Sequence, residues 1–303
     1  MKLGFVSAIL GDLSLDEVVN VAARIGYSCV EVCCWPAGPP DRRYSGVAHI
    51  DAGSLDAGKA SSILNLMSGN GVTISALGYY PNPLDPDIEK RNFCISHLKK
   101  VIDASVMLGI YRVNTFIGRD RWKNTDDNFN IFMEVWPPII KYAEERNVRV
   151  GIENCPMFFT ADEWPGGNNL ATTPAIWRRM FNQYPSENFG LNYDPSHLLW
   201  QQIDYIKPLY EFRHKIFHVH LKDSRIISEK LDDVGIMGYP NEIHTAKIPG
   251  MGDINWGRFF SALNDIRYDG HVCVEVEDRA FEGSIENRIM ALEISKRFLN
   301  QYV

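Results

Sequence analysis

At 303 residues, 45% hydrophobic and 23% charged, the chain has the makeup of an ordinary folded protein with a sizeable core, which excludes extended disorder. A formal net charge of -7 disfavours a phosphate-binding basic stripe, so no nucleic acid partner is expected. The amino terminus shows no cleavable leader, and nowhere do about 18 apolar residues run together, so no membrane partner and a cytoplasmic location are expected.

The first strand is expected over Leu3 to Ile9, followed by Ser14-Leu15-Asp16-Glu17, a capping box opening a helix that Gly26 ends. Ser28 to Cys34 is a second β-rich run. Trp35-Pro36-Ala37-Gly38-Pro39-Pro40 then opens a long loop before a helix over Gly58 to Ser68. The alternation continues with strands at Thr73 to Gly78 and Arg112 to Phe116, and helices at about Asp87 to Leu108 and Asp126 to Arg146. Strands at Val148 to Glu153, Phe189 to Asp194 and Ile216 to Leu221 precede helices at Pro174 to Gln183, Ile203 to Glu211 and Trp256 to Ile266. Val272 to Glu277 is the eighth strand, and a helix over Ile285 to Leu299 closes the chain.

Eight strand-helix units without a composition break predict an α/β fold, a single (β/α)8 TIM barrel forming one domain over residues 1–303. No GxGxxG turn follows the first strand, which weakens a dinucleotide-binding reading. Long strand-following loops at about 35–57 and 223–254 fall on the catalytic face and are expected to shape a pocket. The six cysteines form no CxxC pair and read as reduced core thiols, with Cys155 near enough to Glu153 to share its pocket.

The carboxyl ends of barrel strands converge on one mouth. Glu153, Asp194, His220 and Glu275 end the fifth, sixth, seventh and eighth strands, so a closed barrel brings them together. Three carboxylates there would repel without a cation. With one imidazole they suit a single divalent metal ion, Mn²⁺ first among Mn²⁺, Mg²⁺, Co²⁺ and Zn²⁺. A lone strand-end Glu or His is more often a hydrogen-bonded structural residue, but four on consecutive strands point to a metal site.

The segments Ile152-Glu153-Asn154, Asn192-Tyr193-Asp194-Pro195-Ser196-His197, His218-Val219-His220-Leu221-Lys222-Asp223, Pro249-Gly250-Met251-Gly252-Asp253-Ile254-Asn255-Trp256 and Val274-Glu275 resemble the xylose isomerase-like superfamily of TIM barrels. That group includes ketose 3-epimerases, inosose dehydratases and endonuclease IV, and the resemblance covers nearly the whole chain. It implies that Glu153, Asp194, His220 and Glu275 hold the metal, and that His197 sits near substrate hydroxyls. It also implies that Glu153 and Glu275 are catalytic, taking and returning a proton on opposite faces of a carbohydrate substrate.

Further candidates for substrate binding are Lys222, fixed by Asp223, together with Arg225, His218, Asn114 at the end of the fourth strand, and Trp35. Tyr79, Trp122 and Trp164 lie on other strand-following loops, where ordinary packing competes with sugar stacking. The expected activity is metal-dependent sugar isomerisation or epimerisation beside the carbonyl of a ketose or keto-sugar. The alternative is a lyase or dehydratase acting on an inosose or 3-keto-glycoside. Glu242 and His244 loosely fit an endonuclease IV-like phosphodiesterase, but the second and third strands end in Cys34-Trp35 and Gly78-Tyr79-Tyr80 without the His ligands that reading needs, and His49 lies too far along its loop. A non-catalytic sugar-binding protein is a further alternative, and the family resemblance leaves room for a homo-oligomer.

Overall fold

The structure is a computed structural model that describes residues 1–36, 38, 43–158 and 160–303. Eight parallel strands close into a barrel: β1 (Lys2–Val6), β2 (Cys29–Cys33), β3 (Thr73–Gly78), β4 (Arg112–Thr115), β5 (Arg149–Glu153), β6 (Phe189–Tyr193), β7 (Ile216–Leu221) and β10 (His271–Val274). Their order around the barrel is β1-β10-β7-β6-β5-β4-β3-β2, so the strands expected to carry the site are consecutive neighbours. A two-stranded antiparallel hairpin, β8 (Asp223–Ile226) and β9 (His244–Lys247), stands outside it.

The expected helices are present as α1 (Leu15–Ile25), α2 (Ala57–Gly69), α3 (Ile88–Met107), α4 (Thr125–Glu144), α5 (Pro174–Gln183), α10 (Trp256–Asp265) and α11 (Ile285–Leu299). Their starts are chemically specified. Ser14 and Glu17 form the reciprocal capping box, while the side chains of Asp56, Asp87, Asn124, Thr173, Asn255 and Ser284 each accept from a first-turn N–H. Gly26 ends α1 at φ 88°, a left-handed conformation that most side chains resist.

The helix expected over Ile203 to Glu211 is shortened to α7 (Lys207–Glu211), and a separate short helix that was not expected, α6 (Ser196–Leu199), precedes it. Asp204 accepts from the N–H groups of Ile206 and Lys207 at 2.7 and 3.2 Å, and Pro208, without an N–H, suits a first helical turn. The chain therefore restarts a helix here rather than continuing one. The first and eighth strands are also shorter than expected: Ser7–Leu10 is a 3-10 turn, and β10 ends at Val274, one residue before Glu275.

Strand alternation divides the core. Val30 and Val32 of β2 join the large cluster between sheet and helices, while Cys29 and Cys33 pack with Val6 and Cys273 in a separate cluster. Aromatic residues secure the outer layer: Trp136 is fully buried, lies 5.9 Å from the Phe189 ring, and donates its indole N–H to the Ile117 carbonyl at 2.9 Å.

The loop after β2 folds back, with His49 donating its backbone N–H to the Cys33 carbonyl at 3.0 Å, while its ring nitrogens meet Ser7 Oγ and the Leu10 carbonyl. Ala37, Pro39 and Pro40 of the expected loop opening lie outside the described residues. The excursion after β7 contains the hairpin, α8 (Ser228–Val234) and α9 (Pro240–Ile243). No helix among the described residues is long and apolar enough to cross a membrane.

Candidate metal and active site

Glu153 is the last residue of β5, Asp194 follows β6, His220 lies near the end of β7 and Glu275 follows β10. One nitrogen or oxygen from each lies within 4.8 Å of the corresponding atoms of the other three. His220 Nδ1 is 3.6 Å from Glu153 Oε1 and 3.5 Å from Glu275 Oε2. His197, on α6 three residues after Asp194, points its Nε2 into the same space, 3.4 Å from Asp194 Oδ2 and 3.7 Å from Glu153 Oε1.

The backbone beneath is tied down. Asn154 exchanges two hydrogen bonds with the main chain of Asp194, at 2.8 and 2.9 Å, locking the ends of β5 and β6 together. Asn169 donates to the Glu153 carbonyl at 2.9 Å. Asp194 Oδ1 accepts from the Ser196 N–H at 2.7 Å, which aims Oδ2 at the cluster.

Glu153 Oε1, Asp194 Oδ2, His197 Nε2 and His220 Nδ1 are buried without a hydrogen-bond partner. Buried polar atoms ordinarily find partners, so four converging ones mark a place for a ligand. Their chemistry, two carboxylate oxygens and two imidazole nitrogens beside the Glu275 carboxylate, fits a divalent cation.

Lys222 balances the charge. Its ammonium lies 2.6 Å from Glu275 Oε2, 3.0 Å from Glu277 Oε2 and 3.2 Å from Asp194 Oδ2, with the side chain only 3% exposed. Burial alone would strip its proton, but Glu275, Glu277 and Asp194 hold its pKa well above the usual lysine value. Burial also works against charge on Glu275, yet Lys222 and His220 outweigh it and hold that carboxyl well below the ordinary range. Glu153 moves the other way: burial first, then repulsion from Glu275, pushes it up to about 8. Asp194 is raised by burial, partly offset by Lys222. His220 is raised well above its usual value because Glu31 and Glu275 overcome the effect of burial. His197 is depressed by burial and then by Lys222.

The pocket over this cluster is lined by Glu153, Lys222, Glu275 and Glu277, by Arg43 and Tyr44 from the loop after β2, and by an apolar wall including Trp35, Tyr80, Phe116 and Met157. Cys155 also reaches it, as its spacing from Glu153 suggested.

A match to the model of the xylose isomerase-like TIM barrel family runs over residues 19–302. The chain belongs to this family. Along nearly the whole chain it is similar to the uncharacterized protein YfiH of Bacillus subtilis (strain 168), at 27% identity over 97% of this chain and 98% of that one. An inosose dehydratase of Clostridium perfringens (strain ATCC 13124) is 32% identical, over 44% of this chain and 46% of the relative. Among solved folds, D-psicose 3-epimerase from Clostridium cellulolyticum H10, determined with D-tagatose, superposes with a TM-score of 0.69 at 16% identity, covering 100% of this chain and 99% of that one. An IolI protein with a bound zinc atom superposes at 0.71 and 18% identity over 100% and 99%.

The remaining candidates of the xylose isomerase-like barrel separate into three groups. Lys222 and Trp35 line the pocket, and His197 borders the cluster. His218 and Asn114 are fully buried and do not line it: His218 bonds to Asn192 and Ser75 at 3.0 and 3.1 Å, and Asn114 donates to Glu31 Oε2 at 2.8 Å. Both therefore sit beneath the site rather than in its mouth. Arg225 is exposed on β8, because the chain leaves the barrel after Lys222 and turns into the hairpin.

Asp223 does not fix Lys222. It accepts from the N–H groups of Ser224, Gly250 and Ile254 and from the Trp256 indole, at 2.8–3.1 Å, and so anchors the returning loop. Trp122 is 72% exposed on a wider outer groove that also includes Tyr79, and Trp164 packs on Phe158. His244 stacks on Trp200 at 4.9 Å.

Sequence reasoning passed over Glu31, Tyr80, Phe116, Met157 and Glu277. The signal for Glu31 was present: a glutamate in the middle of Cys29-Val30-Glu31-Val32-Cys33, an otherwise apolar strand, needs a buried partner. Phe116 and Met157 carry no sequence signal distinguishing pocket wall from core.

Proposed function

We propose that the chain is a divalent-metal-dependent enzyme that abstracts a proton beside the carbonyl of a ketose or keto-sugar derivative and returns it, as a sugar isomerase or epimerase. The observation carrying this reading is the convergence of Glu153 Oε1, Asp194 Oδ2, His197 Nε2 and His220 Nδ1, all buried without a hydrogen-bond partner, beneath a pocket that Glu153 and Glu275 line together with apolar side chains. Glu153, Asp194, His220 and Glu275 would hold the ion, with Mn²⁺ preferred for this oxygen-rich set. A bound divalent ion supplies Lewis acidity, lowering the cost of negative charge on a carbonyl oxygen as the neighbouring proton leaves.

The chain's own groups divide the proton work. Glu275, kept ionised by Lys222 and His220, is the base, and Glu153, in the same cluster, returns the proton from the opposite side of the sugar. Lys222 donates to substrate oxygens, His197 orients hydroxyls, and Trp35, Tyr80 and Phe116 cover the C–H face of the sugar and keep water away. One domain over residues 1–303, with the loops at 35–57 and 223–254 over the site, carries the activity in the cytoplasm.

A second reading has its own support. Relatives at 26–32% identity are named inosose dehydratases, so proton removal followed by departure of a β-oxygen group, the hydroxyl of an inosose as water or the glycosidic oxygen of a 3-keto-glycoside as an alcohol, uses the same residues. The test is to offer ketoses, 3-keto-glycosides and inososes to Mn²⁺-loaded protein and identify products by NMR and mass. A rearranged sugar of unchanged mass supports isomerisation or epimerisation. Loss of water or an alcohol supports elimination, and no turnover of any class overturns both.

A further inference from the structure

We propose that Glu31 is a positioning residue for the metal ligand His220, fixing which imidazole nitrogen faces the ion. The inference rests on the metal reading above. Glu31 lies on β2, three strands from β7 around the barrel, and is fully buried. The β2–β3 register shifts between Val30 and Glu31, so the ladder is irregular where Glu31 enters the barrel interior. Gly78 leaves it room, since a Cβ there would stand 2.6 Å from Glu31 Oε1.

Glu31 Oε2 lies 2.9 Å from His220 Nε2. Asn114 donates to the same oxygen at 2.8 Å, and the Tyr80 hydroxyl donates to Oε1 in a short hydrogen bond. The Asn192 amide nitrogen also stands 3.0 Å from Nε2, but it has the Tyr80 hydroxyl to donate to at 3.2 Å; the shorter contact is with the Glu31 carboxylate, which accepts and does not donate, so the proton of a neutral His220 belongs on Nε2. Nδ1 then keeps its lone pair, and Nδ1 is the partnerless nitrogen turned toward Glu153 and Glu275. Such an outer carboxylate fixes the tautomer and ring angle of a ligating histidine and strengthens it as a donor.

Glu31, His218 and His220 also lie close enough to form a cation site of their own. Their facing atoms are instead spent on one another and on Asn114, Tyr80, Asn192 and Ser75, which favours support over ligation.

The test compares wild type, Glu31→Gln and Tyr80→Phe by metal stoichiometry, Mn²⁺ and Zn²⁺ affinity from chelator competition, the visible spectrum of the Co²⁺ form, and metal-free melting. One ion per chain is expected in wild type. Glu31→Gln should bind about 10- to 100-fold more weakly with a shifted Co²⁺ spectrum, and Tyr80→Phe should show a smaller loss. Wild-type affinity and spectrum in Glu31→Gln would overturn the inference alone, as would a second ion per chain lost with Glu31. No metal binding by wild type would overturn the metal reading and this inference with it. Should Glu31→Gln fail to fold, ¹⁵N-imidazole NMR of the Zn²⁺-loaded wild type decides: a proton on His220 Nε2 is expected, and a proton on Nδ1 overturns the assignment.

Discussion

Replacing Lys222 with methionine removes the ammonium that stands among Asp194, Glu275 and Glu277 while keeping most of the aliphatic stem. Without a metal, those carboxylates lose their nearest cation in a buried setting, and breaking a buried pair from one side costs about 3–5 kcal/mol. At about 2.1 cal/mol/K of unfolding entropy per residue, even the lower figure corresponds to a fall of roughly 5 °C in melting temperature for a chain of this size. A divalent ion restores the lost positive charge, and it no longer meets a competing ammonium 2.6 Å from Glu275 Oε2. The gap between melting temperatures in EDTA and in saturating Mn²⁺ should therefore be wider in Lys222→Met than in wild type, the widening arising on the EDTA side. Differential scanning calorimetry in the two buffers measures it. An unchanged or narrower gap would refute the placing of Lys222 in competition for the metal site.

Three further outcomes are expected. Because Glu153 sits up at about 8 and His220 well above its usual value, both carry protons that a metal must displace, so Mn²⁺ affinity should rise with pH across the neutral range. Chelator competition between pH 6 and 8.5 checks this. The same raised groups stabilise the metal-free fold fully below their unfolded values and lose that contribution as pH rises through the folded ones, so melting in EDTA should fall between pH 6 and 8.5. Trp136→Ala should cost about 3–5 kcal/mol in urea unfolding, through the cavity left behind and the orphaned Ile117 carbonyl.

The barrel was legible because its signals are local: apolar runs of strand length, each followed by a cap residue and a helix. Glu153, Asp194, His220 and Glu275 were legible because strand ends place polar residues at the mouth whatever the details of packing. What escaped depended on the third dimension. Glu31 lies inside its strand rather than at the end, and its value comes from His220 across the barrel. Arg225 and Asp223 follow the seventh strand as closely as Lys222 does, yet the hairpin carries Arg225 into solvent and assigns Asp223 to the turn around Gly250. Backbone pairing 20 residues apart decides that, and local pattern does not encode it.

The most direct test of the central claim is solvent-deuterium incorporation into ketoses, 3-keto-glycosides and inososes in D₂O, followed by NMR. Wild type loaded with Mn²⁺, wild type in EDTA and Mn²⁺-loaded Glu275→Gln are compared. The account predicts exchange at the carbon beside the carbonyl in the first sample and at least a hundredfold less in the other two, roughly the scale of general-base catalysis. Exchange that persists equally in EDTA or in Glu275→Gln, or a panel that binds to the metal-loaded protein without any exchange, would contradict it.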